Sequence, residues 1–291
     1  MEEKDFLTHL GARSHSPISY DKKLLERVPR SLNRESYDIL GNEFVGVDCW
    51  HNYEVSFLTT SGLPISGIVK MNVPAQSKFL VESKSLKLYF NSFNMEHISE
   101  TVEESIHQVI RIAEEDLSFL LACEVKMAFF INDCIPEENE LLEYQSIDNI
   151  EGAELAVFNS YQENPSLLKS KTADKEPQQL MSHLLRSNCK VTHQPDWGSI
   201  FIYLDGDKHI DELSLLKYIV SFRNEFHFHE EICEMVYHRL MERYQPRKLM
   251  VACLYTRRGG IDICPIRSTS IQLIPRAFQD VQRLARRTTR M

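Results

Sequence analysis

The chain has 291 residues, of which 43% are hydrophobic and 26% charged, a composition typical of a globular protein long enough for two ordinary domains. Its formal net charge of −9 argues against a protein that coats nucleic acid or a membrane surface, because both need a basic excess. The sequence has no apolar run near the about 18 residues of a membrane span, no signal-peptide layout, and neither a Rossmann nor a P-loop glycine pattern.

The first half of the chain predicts a leader followed by strands and helices. Residues 1–40 are polar and predict an extended leader that wraps the body. Runs of β-branched and aromatic residues predict strands, and apolar residues on one helical face predict a helix. In chain order the predicted strand, strand, helix and strand cover 43–58, 65–73, 101–120 and 125–131. Residues 136–178 are acidic and polar and predict a connection, with one short strand at 153–158.

The second half repeats this order of elements. Its predicted strands, helices and final hairpin cover 184–192 and 199–204, then 213–226 and 230–244, then 249–256 and 261–266. The turn of that hairpin, Arg257-Arg258-Gly259-Gly260, is basic and rich in glycine.

Recurring residues indicate that the two halves are copies of one ββααββ unit. The repeated sets are Glu82, Leu86, Lys87 and Ser92-Phe93 in the first half, and Glu212, Leu216, Lys217 and Ser221-Phe222 in the second. Each half also has a cysteine on a preceding strand, Cys49 or Cys189. We therefore predict an α+β fold of two tandem units, with antiparallel sheets and helices on one face. The predicted bounds are a leader at 1–40, a first unit at 41–150 and a second unit at 151–291.

Cys189 and Asp196 stand seven residues apart, across a Gln194-Pro195 turn. A thiol and a carboxyl group brought together by such a turn could act as nucleophile and proton donor. They could equally be a core cysteine and an aspartate that caps a turn. The remaining cysteines lie on apolar stretches and are predicted to be core: Cys49, Cys123, Cys134, Cys233, Cys253 and Cys264. The odd total of seven, without a C-x-x-C pair, favours reduced thiols in a cytoplasmic protein over disulfides or structural zinc.

Residues 82–89, Glu-Ser-Lys-Ser-Leu-Lys-Leu-Tyr, resemble the signature of the NADPH-dependent 7-cyano-7-deazaguanine reductases. These are nitrile reductases of the tunnelling-fold superfamily that act in queuosine biosynthesis. Three further motifs of the family follow in the expected order: Cys189 with Asp196, then Phe228-His229-Glu230, then residues 257–262. The resemblance covers about residues 40–270 and implies that the two tandem units are tunnelling-fold modules.

The resemblance also implies a role for each of these groups. The Cys189 thiolate adds to the nitrile carbon and forms a covalent thioimide, which a nicotinamide can then reduce. Asp196 protonates the nitrile nitrogen, which requires that burial, aided by the adjacent Trp197, raise the pKa of its carboxyl group. The implied substrate-binding residues are Val81, Glu82, Ser83, His229 and Glu230. The implied NADPH-binding residues are Ser83, Lys84, Arg258 and Gly259.

Glu82 and Glu230 suit the deazaguanine ring, because a guanine-like edge presents N–H donors side by side and a carboxylate accepts both. The Glu-Ser-Lys motif occurs only in the first half and the Cys/Asp pair only in the second, so the pocket is expected where the modules meet. The sequence leaves open whether that is within one chain or across a dimer interface. We expect a cytoplasmic homodimer with a small-molecule substrate and with no metal, nucleic-acid or membrane partner.

Two other classes of function remain open on the residues alone. A metal-dependent tunnelling-fold enzyme acting on a pterin or purine could use His227 and His229, with Cys233 or Glu231, as ligands. Residues two apart do not share a helix face, which weakens that interpretation. A purine- or RNA-binding module without catalysis would leave the Cys/Asp pair unexplained. His227, His193 and the 136–178 connection are interpreted as peripheral to the site.

Overall fold

The computed structural model describes residues 17, 19–40, 43–131, 134–172 and 176–290. Residues 1–16 of the predicted leader lie outside this part of the chain. The α-helices are α1 (Ser31–Ser36), α2 (Ser83–Ser92), α3 (Val102–Leu121), α4 (Glu212–Ser221), α5 (His229–Tyr244) and α6 (Arg276–Gln279). The strands are β1 (Arg27–Pro29), β2 (Val45–Leu58), β3 (Pro64–Pro74), β4 (Phe79–Val81), β5 (Lys126–Phe130), β6 (Gln145–Ser146), β7 (Ser170–Thr172), β8 (Gln178–Asn188), β9 (Pro195–Asp205), β10 (Lys208–Ile210), β11 (Lys248–Tyr255) and β12 (Ile261–Ser268).

One eight-stranded sheet runs through both halves of the chain, in the order β5-β3-β2-β12-β11-β9-β8-β6. Its neighbouring strands are antiparallel, except that the short β6 runs parallel to β8. The halves join where β2 pairs with β12, with Cys49 opposite Cys264. The predicted α+β class with antiparallel strands is therefore confirmed.

The longer helices α2, α3, α4 and α5 cover one face of this sheet. Because strand side chains alternate, Ile200 and Ile202 of β9 pack with α4 and α5, while Phe201 faces the opposite side. That opposite face is covered by α6 and by the 3₁₀ helix Glu140–Glu143, which contributes Leu141. No helix in the described part of the chain is long and apolar enough to cross a bilayer.

The helices α2 and α4 make the same set of contacts in the two halves. Glu82 caps the N-terminus of α2 and Asp211 caps that of α4. The buried Tyr89 and Tyr218 each donate a hydroxyl hydrogen bond to a carboxylate outside their helix. A short two-stranded antiparallel sheet precedes each helix: β1 with β4 before α2, and β7 with β10 before α4. The structural counterpart of Glu82 is therefore Asp211 and not Glu212, so that detail of the predicted repeat is wrong.

Two predictions about the cysteines are also wrong. Cys189 lies beyond the end of β8, whereas Cys49 lies in the middle of β2, so the two are not equivalent. Cys134 is exposed and Cys123 is only half-buried, although both were predicted to be core. The other predicted core cysteines are buried: Cys49, Cys233, Cys253 and Cys264.

Three predicted elements have different bounds or a different type. The predicted strand 153–158 contains the 3₁₀ helix Ala153–Leu155, in which Leu155 is 91% exposed while Ala153 packs against the core. The predicted helix 213–226 ends at Ser221 and continues as a 3₁₀ turn. The predicted strand 184–192 is β8, which begins six residues earlier and ends at Asn188, where the β8–β9 turn begins.

A buried ion network joins the leader to both halves of the sheet. Arg267 of β12 lies 2.8 Å from Asp48 of β2 and 2.8 Å from Glu234 of α5. Arg30 contacts the same two carboxylates, and Arg34 of α1 lies 2.8 Å from Glu234. Three guanidinium groups thus compensate two buried carboxylates. This part of the leader packs into the fold instead of extending around it.

Replacing Arg30 with methionine is expected to lower the free energy of unfolding by about 3 kcal/mol, because it removes a partner of two buried carboxylates. The loss can be measured by urea unfolding followed by circular dichroism. Arg27→Met is the matched control in the same segment, since Arg27 is exposed, and it is expected to change stability by less than about 0.5 kcal/mol. Equal losses in both variants would contradict a stabilising role of the network.

Candidate active site

Every residue that the sequence predicts for the site lines one cavity of about 480 Å³ within the chain. These residues are Val81, Glu82, Ser83, Lys84, Cys189, Asp196, His229, Glu230, Arg258 and Gly259. Val81 ends β4, and Glu82, Ser83 and Lys84 lie at the start of α2. The others come from the β8–β9 turn, β9, the start of α5 and the β11–β12 turn. The pocket therefore forms between the two halves of a single chain, which the sequence left open.

Cys189 is the first residue of the turn between β8 and β9. Its backbone N–H donates to Gln194 O at 2.8 Å, and its carbonyl accepts from His193 N at 2.9 Å. His193 takes a left-handed φ of 57°, which lets the chain reverse within six residues. The backbone N–H of Thr192 donates to Cys189 Sγ at 3.5 Å. The turn holds the thiol half-buried at the cavity wall.

Asp196 is ionised more readily than its sequence neighbours predict. Its carboxylate is 3% exposed, contacts Arg258 and lies 3.4 Å from His229 Nε2. Burial is the largest influence and raises the pKa of Asp196, but the hydrogen bond and charge of His229 and the charge of Arg258 outweigh it. The pKa is therefore lowered, and the predicted elevation is wrong for the free protein. Trp197, the next residue of β9, points to the other side of the strand, where Arg223 and Arg290 lie 5.4 and 5.2 Å from its ring.

His229 is held flat against Tyr255. The two rings are stacked with 3.7 Å between their centroids and 4° between their planes. Gly198 lies opposite Tyr255 on the neighbouring strand, where a Cβ would come within 3.1 Å of the tyrosine ring. Among the described residues, His229 Nδ1 and the Tyr255 hydroxyl are buried without a hydrogen-bond partner. The stack fixes the imidazole plane while its Nε2 faces Asp196.

Tyr255→Leu is expected to lower kcat/KM by about tenfold or more, because His229 loses the surface that sets its plane. Tyr255→Phe keeps the ring and is expected to retain most of the activity. Steady-state kinetics on both variants test this. Tyr218→Leu, another fully buried tyrosine of the second half, is the control for lost packing alone. A comparable loss of activity in Tyr218→Leu would indicate a general effect on stability.

The two glutamates differ in their surroundings. Both oxygens of Glu82 accept backbone hydrogen bonds at the start of α2, from Lys84 at 3.0 Å and Ser85 at 2.6 Å. Burial nevertheless raises the pKa of Glu82. Glu230 is 2% exposed, and burial followed by the charge of Asp48 raises its pKa to about 8. Near neutral pH the Glu230 carboxyl group of the free protein is mostly protonated.

A cationic rim borders the cavity at the start of α2 and at the β11–β12 turn. It is formed by Lys84, Lys87 and Arg258, and Lys87 also pairs with Glu54 at 2.9 Å. Gly260 in the turn has a φ of 80°, and a Cβ there would lie 2.4 Å from Glu54 Cδ. The positive φ favours glycine at this position, and the compact turn brings Arg258 to the rim.

Comparisons with known proteins identify the family of the chain. Residues 17–129 match the family described as "Nitrile reductase, 7-cyano-7-deazaguanine-reductase N-term", and residues 195–272 match "QueF-like protein". An NADPH-dependent 7-cyano-7-deazaguanine reductase of Colwellia psychrerythraea is 39% identical over 274 residues, which cover 91% of this chain and 93% of the relative. The chain belongs to this family.

A second 7-cyano-7-deazaguanine reductase, from Acinetobacter baumannii, is 38% identical over 273 residues, covering 93% of this chain and 96% of the relative. Among solved structures, the apo archaeosine synthase QueF-Like aligns over 36% of this chain and all of its own length. Its TM-score of 0.30 and identity of 13% are too low to support an argument about the fold.

Several residues that line the cavity of this reductase-family member were not predicted. Lys87 belongs to the same motif as Lys84. It follows Ser83 by four residues, and this spacing places both side chains on one face of a helix, which could have predicted it. His227 was interpreted as peripheral, yet it lines the cavity and lies 3.1 Å from Glu225 and 3.3 Å from Glu231. The other unpredicted lining residues are Trp50, Val191, Thr192, Gln194, Phe228, Ile261 and Ile263.

Of the side chains proposed for a metal-dependent alternative, His227 contacts Glu231, whereas His229 and Cys233 have other partners. His227 contacts Glu225 and Glu231 through its two ring nitrogens, while His229 faces Asp196. Cys233 is buried and donates to two backbone carbonyls. Within the described ranges, the histidines, cysteines and acids close enough to share an ion are His51, Asp262 and Cys264, away from this cavity.

Proposed function

We propose that the chain reduces the nitrile of 7-cyano-7-deazaguanine to 7-aminomethyl-7-deazaguanine with two NADPH, as a step of queuosine biosynthesis. The convergence of Cys189, Asp196, His229 and Glu230 on one cavity is the observation that carries this proposal. A half-buried thiol, a proton-sharing pair and a carboxyl group for the ring are the groups that nitrile reduction through a covalent intermediate needs.

Cys189 starts the reaction by forming a bond between its sulfur and the nitrile carbon. One C–N π bond becomes an electron pair on nitrogen, and this pair takes a proton from the Asp196–His229 pair, giving a thioimide. The thioimide carbon then accepts the first hydride and its nitrogen a second proton. The C–S bond breaks as the nitrogen lone pair forms a C=N bond, the thiolate leaves, and the protonated imine that remains accepts the second hydride to give the amine. His229, held against Tyr255 with its Nε2 3.4 Å from Asp196, positions the Asp196 carboxyl group at the cavity wall.

Glu230 and Glu82 are proposed to bind the ring edge. A deprotonated Glu230 accepts the adjacent N–H donors of the guanine-like edge in a charge-assisted pair. Glu82 keeps its backbone hydrogen bonds at the start of α2, and its remaining lone pairs accept hydrogen bonds from the ring edge. Val81, Ser83 and the His229 side chain complete the wall around the substrate.

The cationic rim fits the phosphates of NADPH, since cations and a Gly-Gly turn with positive φ at both glycines suit anions. Ser83, Lys84, Arg258 and Gly259 are proposed to hold the cofactor, and Lys87 joins them on the same rim. Bound NADPH supplies the hydride for each reduction.

The proposed architecture is two tandem tunnelling-fold modules at 41–150 and 151–291 after the leader at 1–40. The matching contacts of α2 and α4 support the duplication. A homodimer is proposed because β5, at one end of the eight-stranded sheet, has a free edge among the described strands. The seven unpaired thiols and the net negative charge support a cytoplasmic protein without a nucleic-acid partner.

Mixing the purified protein with the nitrile and limiting NADPH tests the proposal. Two NADPH are expected to be oxidised for each amine formed, because converting a nitrile to an amine takes four electrons. Full activity after treatment with a chelator is expected as well, and its loss would favour the metal-dependent alternative. A protein that oxidises no NADPH with the nitrile would contradict the proposed function.

A further inference from the structure

We infer that Arg258 is shared between the Asp196 carboxylate and the phosphates of NADPH, so that cofactor binding releases Asp196. The inference rests on the proposed function, because it assumes that NADPH binds at the cationic rim. It assigns Arg258 a second role as a positioning residue for the proton-donating group.

In the free protein, each amino group of the Arg258 side chain makes a hydrogen bond. Its Nη1 contacts Asp196 Oδ1, and its Nη2 donates to Gln194 Oε1 at 2.8 Å. The Arg258 side chain is 34% exposed, whereas Asp196 is 3% exposed. The guanidinium group therefore lies at the rim, with Asp196 on its buried side and solvent on the other.

The backbone of Arg258 is anchored while its side chain can be redirected. Arg258 and Ile261 exchange hydrogen bonds of 2.8 and 3.0 Å, which close the turn through Gly259 and Gly260. A guanidinium group binds phosphate best in a fork that uses two parallel N–H groups. Asp196 and Gln194 each engage one of the two amino groups, so a phosphate that binds in a fork across both amino groups competes with them.

Release of Arg258 changes what remains around Asp196. The charged or titratable groups facing it are Arg258 from the β11–β12 turn, His229 from α5 and Tyr255 from β11, with Cys189 on the same cavity wall. Without Arg258, burial is opposed by His229 alone, so the pKa of Asp196 rises. The carboxyl group then holds a proton more readily when the hydride donor is bound.

Calorimetric titration with NADP⁺ alone, without the nitrile, tests the competition by equilibrium binding. Asp196→Asn is expected to bind NADP⁺ about tenfold more tightly than the wild type, because Arg258 is no longer held by a carboxylate. Arg258→Gln is expected to bind more weakly. In the Arg258→Gln background, Asp196→Asn is expected to change the Kd less than twofold, which completes a double-mutant cycle.

Asp205→Asn is the matched control, since Asp205 lies at the far end of β9 and pairs with Arg247 at 2.8 Å, outside the cavity. Unchanged or weaker binding by Asp196→Asn would overturn the inference. The inference would also be overturned if Asp196→Asn tightened NADP⁺ binding by the same factor in the wild type and in the Arg258→Gln background. That result would indicate direct repulsion between Asp196 and the phosphates. A wild-type protein that binds no NADP⁺ would instead refute the proposed function. Gln194→Ala removes only the second contact and is expected to tighten binding by a smaller factor, which tests the inference without altering Asp196.

Discussion

Replacing Cys189 with alanine is expected to abolish the covalent adduct with the nitrile and to lower kcat on the order of 10³-fold or more. The thiol is the only sulfur lining the cavity among the described residues, and its turn is closed by backbone hydrogen bonds that alanine retains. The fold should therefore survive while the nucleophile is lost. Intact mass spectrometry after mixing protein and nitrile without NADPH measures the adduct directly.

Cys134→Ala is the control for this experiment, because Cys134 is an exposed thiol outside the cavity. It is expected to keep both the adduct and the activity. An adduct that persists in Cys189→Ala and disappears in Cys134→Ala would show nonspecific modification of an accessible thiol. A wild-type protein that turns over the nitrile without forming any adduct would exclude the thioimide mechanism.

Substrate binding is expected to become tighter as the pH rises towards 8 and to level off above it. Glu230 has a pKa of about 8 in the free protein, owing first to burial and then to the charge of Asp48. Its protonated form offers only part of the acceptor edge that two N–H donors need, so binding must remove the proton. Below the pKa the apparent Kd for the nitrile should therefore increase about tenfold for each unit of pH.

Glu230→Gln is expected to weaken binding by about 30-fold or more at pH 8, because the charge-assisted pair is lost and the amide N–H₂ faces a donor. Its affinity should no longer vary over this pH range. Titration of the nitrile without NADPH, at several pH values, gives both results. Glu242→Gln, a 55% exposed position on the same helix, should behave as the wild type. A pH dependence that persists in Glu230→Gln would assign the titration to another group, such as Glu82.

The residues proposed for the site could be named from the sequence because each lies in a short motif that resembles the family's. Glu82, Ser83 and Lys84 are consecutive and start a helix, and His229 and Glu230 start another. Residues that are close in the sequence stay close in the fold. All ten predicted residues line the same cavity. The basic Gly-Gly turn was recognisable for the same reason, since two positive φ values in succession favour glycine.

The electrostatic state of those residues could not be predicted in this way. The pKa of Asp196 depends on Arg258 and His229, which arrive from other elements of the fold. The pKa of Glu230 depends on Asp48, from a strand in the other half of the chain. The adjacent Trp197 was the only neighbour visible in the sequence, and it faces away, because successive residues of a strand alternate sides.

Local patterns and motifs thus determined the class of fold, most of the strands and helices, the family and the candidate groups of the site. They depend on interactions between residues near in the chain, which one sequence displays directly. The pairing of β2 with β12 brings the two halves together over a separation of about 200 residues, and no local pattern encodes it. That pairing, and the burial and ion pairs that follow from it, place Glu82 in the same pocket as Cys189 and set which carboxyl groups hold protons.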